Sequence, residues 1–202
     1  MLQQFFKPNI IEAGCDEAGR GCLAGPVFAA AVVLPSDFFN EDLNDSKKLS
    51  PSKRERLREF IIRESIDYKV EYVTEKEIDA INILNASILC MHKALDGLNT
   101  RIGHIIVDGN RFKAWRDPYG VLVPHNCIVK GDATFASIAA ASILAKTFRD
   151  DYMRKAALDY PEYGWDKNFG YPTKSHRMAI KKYGITPLHR TTFTLLPDPE
   201  LF

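Results

Sequence analysis

Residues 27–34 form an apolar stretch that constrains the fold of this chain more than any other feature. The stretch is rich in Val, Ala and Phe, and Gly25-Pro26 and Pro35-Ser36 bound it on either side. An apolar stretch of this length between turn signals predicts a strand whose two faces are both buried. The chain is therefore expected to build a sheet that is covered by helices.

Periodicity and capping signals predict the elements around this strand. Further strands are predicted over residues 10–15, 68–73, 104–107 and 121–129, the last broken by Pro124. Helices are predicted over residues 51–65, 78–98, 134–158 and 173–183, and an extended stretch over residues 190–195. The first two strands are close enough in sequence to pair as an antiparallel ribbon, and later strands alternate with helices. This order predicts an α/β fold with a mixed five-stranded sheet flanked by helices and a C-terminal helical extension.

Composition bounds the class of protein. The length of 202 residues predicts one domain, and 27 Lys and Arg against 26 Asp and Glu indicate neither a nucleic-acid nor a membrane partner by bulk charge. No apolar stretch is long enough to cross a bilayer, and residues 1–10 lack the apolar core of a signal peptide. Cys15, Cys22, Cys90 and Cys127 form no CxxC pair, which predicts reduced thiols in a cytoplasmic protein rather than disulfides or a zinc site.

The charge is unevenly distributed along the chain. Residues 1–101 carry 13 basic and 16 acidic side chains (net −3), whereas residues 102–202 carry 14 and 10 (net +4). Much of the excess lies in a basic block without acids, which consists of Lys167, Lys174, Arg177, Lys181, Lys182 and Arg190, with His176 and His189. Two interpretations of this block are open, a solvated face and a phosphate-binding surface.

Acidic residues follow the ends of several predicted strands. Asp16 and Glu17 follow the first strand, Asp108 ends the strand at 104–107, and Asp132 lies between the fifth strand and the long helix. In α/β sheets, ligands bind beyond the carboxyl ends of the strands. These carboxylates would repel one another unless a cation neutralised them, and oxygen ligands without His or Cys favour magnesium or manganese. Together they predict a divalent-metal site.

Each acid also has a structural interpretation. Asp108 before Gly109 is typical of a turn, and Asp132 before a helix is typical of an N-cap. Asp16 and Glu17 are alternatively surface charges beside an arginine. Alternation along a strand would place Asp16 and Glu17 on opposite faces, so they converge only if the chain bends, as the glycines that follow allow. Ser137 and Ser142 in the long helix could reach this site, and both are interpreted as structural.

The residues around these acids form an ordered series of motifs. They are GCDEAGRGCLAGPV at residues 14–27, NDSKKL at 44–49, VDGN at 107–110, KGD at 130–132, SIAAASI at 137–143, FRD at 148–150 and GYPT at 170–173. The series resembles type 2 ribonuclease H, ribonuclease HII, over nearly the whole chain. Cys22 departs from the pattern, because many members of that family have proline there.

The resemblance implies a ribonuclease-H-like fold and an endonuclease that hydrolyses the RNA strand of RNA–DNA hybrids. It also implies incision 5′ of single ribonucleotides embedded in duplex DNA, giving 3′-hydroxyl and 5′-phosphate ends, with roles in ribonucleotide removal and RNA primer degradation. By the same resemblance, Asp16, Glu17, Asp108 and Asp132 form the catalytic and metal-binding set. The implied cofactors are Mn²⁺ or Mg²⁺, with two divalent ions present when substrate is bound.

The resemblance assigns substrate-binding residues as well. Gly19-Arg20-Gly21 is expected to approach the ribonucleotide sugar through its backbone, and Tyr171 is expected to stack on the neighbouring sugar. The candidates for phosphate contacts are Lys47, Lys48, Lys174, Arg177, Lys181 and Lys182. The alternatives are a tight turn at the glycines and a half-buried packing role for Tyr171.

Residues 1–202 are expected to form a single catalytic domain, in which residues from about 160 to 202 are a basic, substrate-binding extension. The expected partners are RNA–DNA hybrids and DNA duplexes that contain ribonucleotides, with no membrane, and the protein is expected to act as a monomer. The C-terminal Glu200-Leu201-Phe202 resembles peptides that bind sliding clamps, and packing on its own domain is the competing interpretation.

Other classes of protein compete with this interpretation. A non-catalytic hybrid-binding module would keep the fold without the chemistry, and the intact set of four acids is against it. A junction resolvase or integrase would share the fold, and the Gly-Arg-Gly loop and Tyr171 are against that. A type 3 ribonuclease H is expected to carry a further N-terminal domain, whereas 15 residues precede Asp16 here.

Overall fold

The computed structural model describes residues 2–43 and 50–196, which form a five-stranded main sheet and a separate two-stranded hairpin. The strands, in chain order, are β1 (Glu12–Ala18), β2 (Val27–Val33), β3 (Asp67–Val73), β4 (His104–Asp108), β5 (Trp115–Arg116), β6 (Leu122–Val123) and β7 (His125–Ile128). The main sheet has the order β3-β2-β1-β4-β7. β2 pairs antiparallel with β1 and β3, whereas β4 pairs in parallel with β1 and β7. The predicted mixed five-stranded sheet is therefore confirmed.

Helices flank this sheet on both faces. They are α1 (Pro51–Glu64), α2 (Glu75–Ile81), α3 (Ile83–Asp96), α4 (Ala136–Asp159), α5 (Trp165–Asn168) and α6 (Lys174–Tyr183). α4 packs across β1 and β2, and α3 packs across β2 and β3. The last two helices form the helical C-terminal region that the sequence predicts.

β2 is the strand buried on both faces that its apolar sequence predicts. Alternate residues enter different apolar cores, because Ala29 packs in the core beside α3 and Ala30 in the core beside α4. α4 lies especially close to the sheet at Gly14, where a Cβ atom would overlap the backbone of Ser137. This close packing fixes the position of α4 relative to the end of β1.

Local capping signals agree with the observed helix starts. The Ser50 side chain accepts a hydrogen bond from the backbone N–H of Lys53, and Pro51 is the first residue of α1. Thr74 and Glu77 form the reciprocal capping box that opens α2. These signals predict the helix starts because they depend only on neighbouring residues.

The structure corrects three predicted elements. The helix predicted over residues 78–98 is two helices, because Asn82 adopts a φ of 64° and its side chain caps α3. The strand predicted over residues 121–129 is divided at Pro124, so that β6 pairs with β5 and β7 joins the main sheet. Residues 190–195 form turns and bends rather than a strand.

In its described parts, the chain contains neither a disulfide nor a membrane-spanning helix. All four cysteines are free, and Cys127 is the exposed one. Across residues 2–43 and 50–196, no helix has both the length and the apolar character needed to span a bilayer.

Candidate active site at the ends of β1 and β4

Three of the predicted acids meet where β1 and β4 stop pairing. The last paired residues of these parallel strands are Cys15 and Val107, so Asp16 and Asp108 follow at equivalent positions on neighbouring strands. Equivalent positions on paired strands point to the same face of a sheet. Asp16, Glu17 and Asp108 together line a cavity of about 260 Å³. The sheet topology therefore brings together carboxylates that are 92 positions apart in the sequence (108 − 16).

Glu17 reaches this cavity from within a continuous strand. β1 runs through Ala18, and the expected bend comes after it, at Gly19, which adopts a φ of 95°. Glu17 also lines a second cavity of about 170 Å³ on the α3 side, whereas Asp16 lines only the first cavity. Asp16 and Glu17 thus keep the alternation of a regular strand. Both reach the first cavity because they lie at the end of β1, and no bend separates them.

The carboxylates in this cavity destabilise one another's charges. Burial, followed by the negative charges of Glu17 and Asp108, raises the pKa of Asp16 well above its usual value. Burial also raises the pKa of Glu17, although the Arg20 guanidinium 3.1 Å from its Oε1 acts in the opposite direction. Negative charges gathered in one cavity that shields them from water need a compensating positive charge.

The donor chemistry of this site fits a divalent cation that prefers oxygen ligands. The carboxylates of Asp16, Glu17 and Asp108 face one space, and the thiol and imidazole ligands that select zinc do not line it in the described chain. No three His, Cys, Asp or Glu side chains among the described residues already stand in a metal-holding arrangement. Glu17 Oε1 pairs with Arg20, and its second carboxylate oxygen remains available to a cation.

Asp132 does not line the cavity, and its connection to the other acids runs through the backbone of its neighbour Gly131. It is buried in the short 3-10 turn Gly131–Ala133, and Phe135 rather than Asp132 is the N-cap of α4. The N–H of neighbouring Gly131 donates to Asp108 Oδ1 at 2.7 Å. Among the described residues, the side chains that line the two cavities do not include Asp132. Its N-cap interpretation is therefore wrong for α4, and its catalytic role stays a prediction.

Two buried arginines hold the loop that follows β1. Arg149 donates to the carbonyls of Pro26 and Ala24 at 3.0 and 3.1 Å, and Arg190 donates to Gly25 and to Arg20. Gly19 leaves room for this clamp, because a Cβ there would overlap the Arg149 side chain. A buried guanidinium that satisfies several carbonyls fixes the loop beside the carboxylates.

Tyr171 faces the same cavity from the C-terminal region. It is 37% exposed, and Gly170 before it packs so closely on Ala24 that a Cβ would overlap the Ala24 carbonyl. The Leu23 N–H donates to the Gly170 carbonyl at 2.8 Å. Gly19, Arg20, Gly21 and Tyr171 line one cavity, and their contacts with a substrate stay a prediction.

Two residues of the cavity wall were not assigned to the site from the sequence. Ser142 hydrogen-bonds Asp16, and Lys146 lies one helical turn further along α4 with its Nζ 5.8 Å from the centre of the Tyr171 ring. The structural interpretation of Ser142 is therefore incomplete. Their spacing of four residues on the helix that covers β1 is the signal that could have identified them.

The basic block of residues 167–190 is only partly a charged surface. Arg190, His176 and His189 are buried, and Arg177 donates to the carbonyls of Thr194 and Leu195. Lys174 is exposed at the start of α6, but it does not line either cavity. Lys47 and Lys48 lie outside the described residues.

Comparison with known proteins identifies what the chain is similar to. Residues 13–196 match the family profile described as Ribonuclease HII. A curated Ribonuclease HII from Parabacteroides distasonis is 60% identical over 98% of this chain and 97% of its own length. Another from Phocaeicola vulgatus is 57% identical over 100% of this chain and 98% of its own length.

Solved structures share the fold as well. Ribonuclease H2 from Pyrococcus horikoshii OT3 is 30% identical and superimposes with a TM-score of 0.74, covering 91% of this chain and 94% of that protein. The PCNA:RNase HII complex from Archaeoglobus fulgidus contains a chain that is 25% identical, with a TM-score of 0.74. It covers 94% of this chain and 98% of the matched chain. The mixed sheet and the helical C-terminal region are thus shared with structures of this kind.

A buried histidine pair supports the backbone of Tyr171. His176 Nδ1 lies 3.0 Å from the Tyr171 carbonyl, and its Nε2 accepts from the Trp165 indole N–H at 3.0 Å. His189 Nδ1 accepts from the Thr186 N–H at 2.9 Å, and its Nε2 lies 3.3 Å from His176 Nε2. The pair therefore needs both rings neutral.

Mild acid is expected to destabilise the protein through His189. Burial, followed by the positive charge of a protonated His176, lowers the pKa of His189 to about 4 from 6.5. As the pH falls below 6.5, the unfolded chain binds a proton at this histidine before the folded protein does. The free energy of unfolding is therefore highest above pH 6.5 and decreases progressively toward pH 4. Urea denaturation should show a free energy of unfolding that is lower at pH 5 than at pH 7, and His189 should account for about 1 to 2 kcal/mol of that difference.

The variant His189→Gln should remove much of that pH dependence, with His92→Gln as the matched control. His92 lies on α3, away from the His176–His189 pair. An equal pH dependence of unfolding in His189→Gln and wild type would contradict the assignment.

Proposed function

This chain belongs to the ribonuclease HII family of metal-dependent endonucleases, which cut the RNA strand of RNA–DNA hybrids, and we propose that it also incises 5′ of single ribonucleotides embedded in duplex DNA. The observation that carries the proposal is the meeting of Asp16, Glu17 and Asp108 in one cavity beside the Gly19-Arg20-Gly21 loop and Tyr171. Carboxylates for a hydrolytic centre and groups suited to a sugar thus share one space.

We assign the acids the role of holding divalent cations. Asp16, Glu17 and Asp108 are the proposed ligands, and Asp132 is proposed to bind a second ion or to orient the attacking water. When bound, two Mg²⁺ or Mn²⁺ ions supply an activated water and neutralise the charge on the phosphate and the leaving oxygen. The proposed products carry 3′-hydroxyl and 5′-phosphate ends.

The chain's own residues keep those acids ready for a cation. Ser142 hydrogen-bonds Asp16, and the Gly131 N–H holds Asp108 Oδ1 at 2.7 Å. These donors fix the carboxylates in orientation while leaving other oxygens for a ligand. Arg20 neutralises Glu17 at 3.1 Å and lies at the edge of the cavity, where it can turn to a phosphate instead.

Selection of the ribonucleotide is assigned to the loop after β1 and to Tyr171. Gly21 has open space around its Cβ position, so a sugar can approach the backbone there, and the backbone groups can contact a 2′-hydroxyl. Tyr171, which is 37% exposed, is assigned the packing on the neighbouring sugar. The buried arginine contacts to residues 20–26 support this role, because they keep the loop and Tyr171 in a fixed relation.

Other assignments rest on the family resemblance and on exposure. Lys174 is proposed to contact a phosphate because it is exposed at the start of α6, and Lys47 and Lys48 are proposed to do so on their motif alone. We further propose that residues from about 160 onward serve as the substrate-binding extension of a single catalytic domain. The proposed setting is ribonucleotide removal and RNA primer degradation by a cytoplasmic monomer.

Contact with a sliding clamp is a separate proposal. It rests on the C-terminal Glu200-Leu201-Phe202, which lie outside the described residues, and on the relative from Archaeoglobus fulgidus solved as a complex with PCNA. Deletion of these three residues should weaken capture by an immobilised clamp if the proposal is right.

The variant Asp108→Asn should lose cutting of a duplex that contains one ribonucleotide. The change removes one negative charge from the cavity with almost no change in volume. The rate should fall at least about 100-fold, because a bound cation contributes several kcal/mol to phosphoryl transfer. Product formation is measured by gel electrophoresis with Mg²⁺, with Mn²⁺ and with chelator, and the control is Asp159→Asn at the exposed end of α4. Equal cutting by Asp108→Asn, or cutting by wild type in chelator, would overturn the mechanism.

The variant Tyr171→Ala should lose activity on single-ribonucleotide duplexes much more than it loses stability. Removing the ring eliminates its packing on a sugar, and aromatic contacts with nucleic acid are worth about 1–3 kcal/mol, or roughly tenfold or more in rate. Tyr171→Phe should retain most of the rate, and Tyr119→Ala serves as a control because Tyr119 is 81% exposed on a distant turn. An unchanged rate for Tyr171→Ala would refute its role.

A further inference from the structure

The second cavity continues the candidate active site on the side away from Tyr171. Glu17, Arg20 and Asp108 line both cavities, whereas Tyr171 and Lys146 line the first alone. The second cavity, of about 170 Å³, lies against α3 and the turn that follows β4. The shared carboxylates therefore stand between two spaces, and only the first is used by the proposed function.

Ser87 in the wall of this second cavity is a buried polar group without a partner. The residue is 2% exposed, and its Oγ makes no hydrogen bond within the described chain. It belongs to α3, and it lines the cavity with Ile88 and Met91. A buried hydroxyl that is left unpaired costs free energy, which a ligand can recover by accepting its hydrogen bond.

The rest of the lining is suited to an anion attached to an apolar body. Arg20 and Arg111 bring two guanidinium groups, and Asn110 brings an amide. Arg111 and Asn110 are exposed, so an extended ligand can reach them from solvent. Ile88 and Met91 give an apolar surface on the α3 side. Guanidinium groups bind phosphate oxygens in a planar, bidentate manner, and apolar side chains pack on the carbons of a sugar.

We propose that this cavity is a subsite for one sugar–phosphate unit of the ribonucleotide-bearing strand, on the opposite side of the cut from the unit at Tyr171. The inference rests on the proposed function, because the strand must cross the carboxylates shared by the two cavities. The phosphate accepts from Arg111 and the Ser87 hydroxyl, and the sugar lies on Ile88 and Met91. Arg20, which lines both cavities, stands at the junction of the two units.

Neutral linkages in the substrate test this subsite. Duplexes with one ribonucleotide receive a methylphosphonate in place of a single phosphate, at each of the positions flanking the cut in turn. Dissociation constants are measured by fluorescence anisotropy in Ca²⁺ for wild type, Arg111→Gln and Ser87→Ala. At one position on the side away from Tyr171, the neutral linkage should weaken binding by wild type roughly tenfold or more, as expected for loss of a charge-assisted hydrogen bond.

The two variants should then behave as if that phosphate were already neutral. Each should bind the unmodified duplex several-fold more weakly, and Arg111→Gln should show no further loss when that phosphate is replaced. Arg63→Gln and Ser65→Ala are the matched controls, since Arg63 is an exposed arginine on α1 and the Ser65 Oγ is another buried hydroxyl without a partner in the described chain. Arg111→Gln alters an exposed residue, so it provides the test if Ser87→Ala fails to fold.

The outcomes separate the subsite from the proposed function. If Arg111→Gln and Ser87→Ala stay as sensitive as wild type to every neutral linkage, the subsite is overturned, even where cutting in Mg²⁺ proceeds normally. If wild type binds but does not cut at the ribonucleotide, the proposed function fails, and the position-specific loss in binding still decides the subsite.

Discussion

Repulsion among the carboxylates at the ends of β1 and β4 is the constraint on which the rest of this structure depends. Asp16, Glu17 and Asp108 share the edge of the sheet where β1 and β4 cease to pair, and burial together with their mutual charge raises the pKa of Asp16. An arrangement of this kind costs stability, and a structural role alone does not account for it. The divalent cations proposed for this site would offset that cost and supply its chemistry.

A second constraint joins the N-terminal sheet to the C-terminal helices. Arg149 on α4 and Arg190 near the C-terminus donate to carbonyls of the loop after β1, while Gly170 packs directly on Ala24. The loop that faces the carboxylates therefore cannot move independently of Tyr171. The groups proposed to recognise one nucleotide are thus held in one unit, which would lower the entropy lost on binding.

Much of this architecture can be predicted from local sequence, and the remainder depends on long-range packing. The apolar β2 and the capping box at Thr74 are local patterns, and both were predicted. The break at Asn82 was missed because a positive φ in an otherwise helical pattern leaves no periodic signal. Acids after strands predicted the carboxylate cluster, whereas Ser87 and Lys146 are ordinary helical residues until the sheet places them in a cavity wall. Both interpretations of the basic block assume an exposed surface, and they fail for Arg190 because it is a buried donor to the loop after β1.

Whether the carboxylates at the ends of β1 and β4 hold the cations is tested most directly by anomalous diffraction from crystals of the protein with Mn²⁺ and a duplex that contains one ribonucleotide. We expect manganese bound by carboxylate oxygens of Asp16 and Asp108, with the phosphate 5′ of the ribonucleotide beside it. Manganese that binds elsewhere on the chain, or a duplex that lies away from these carboxylates, would contradict this expectation.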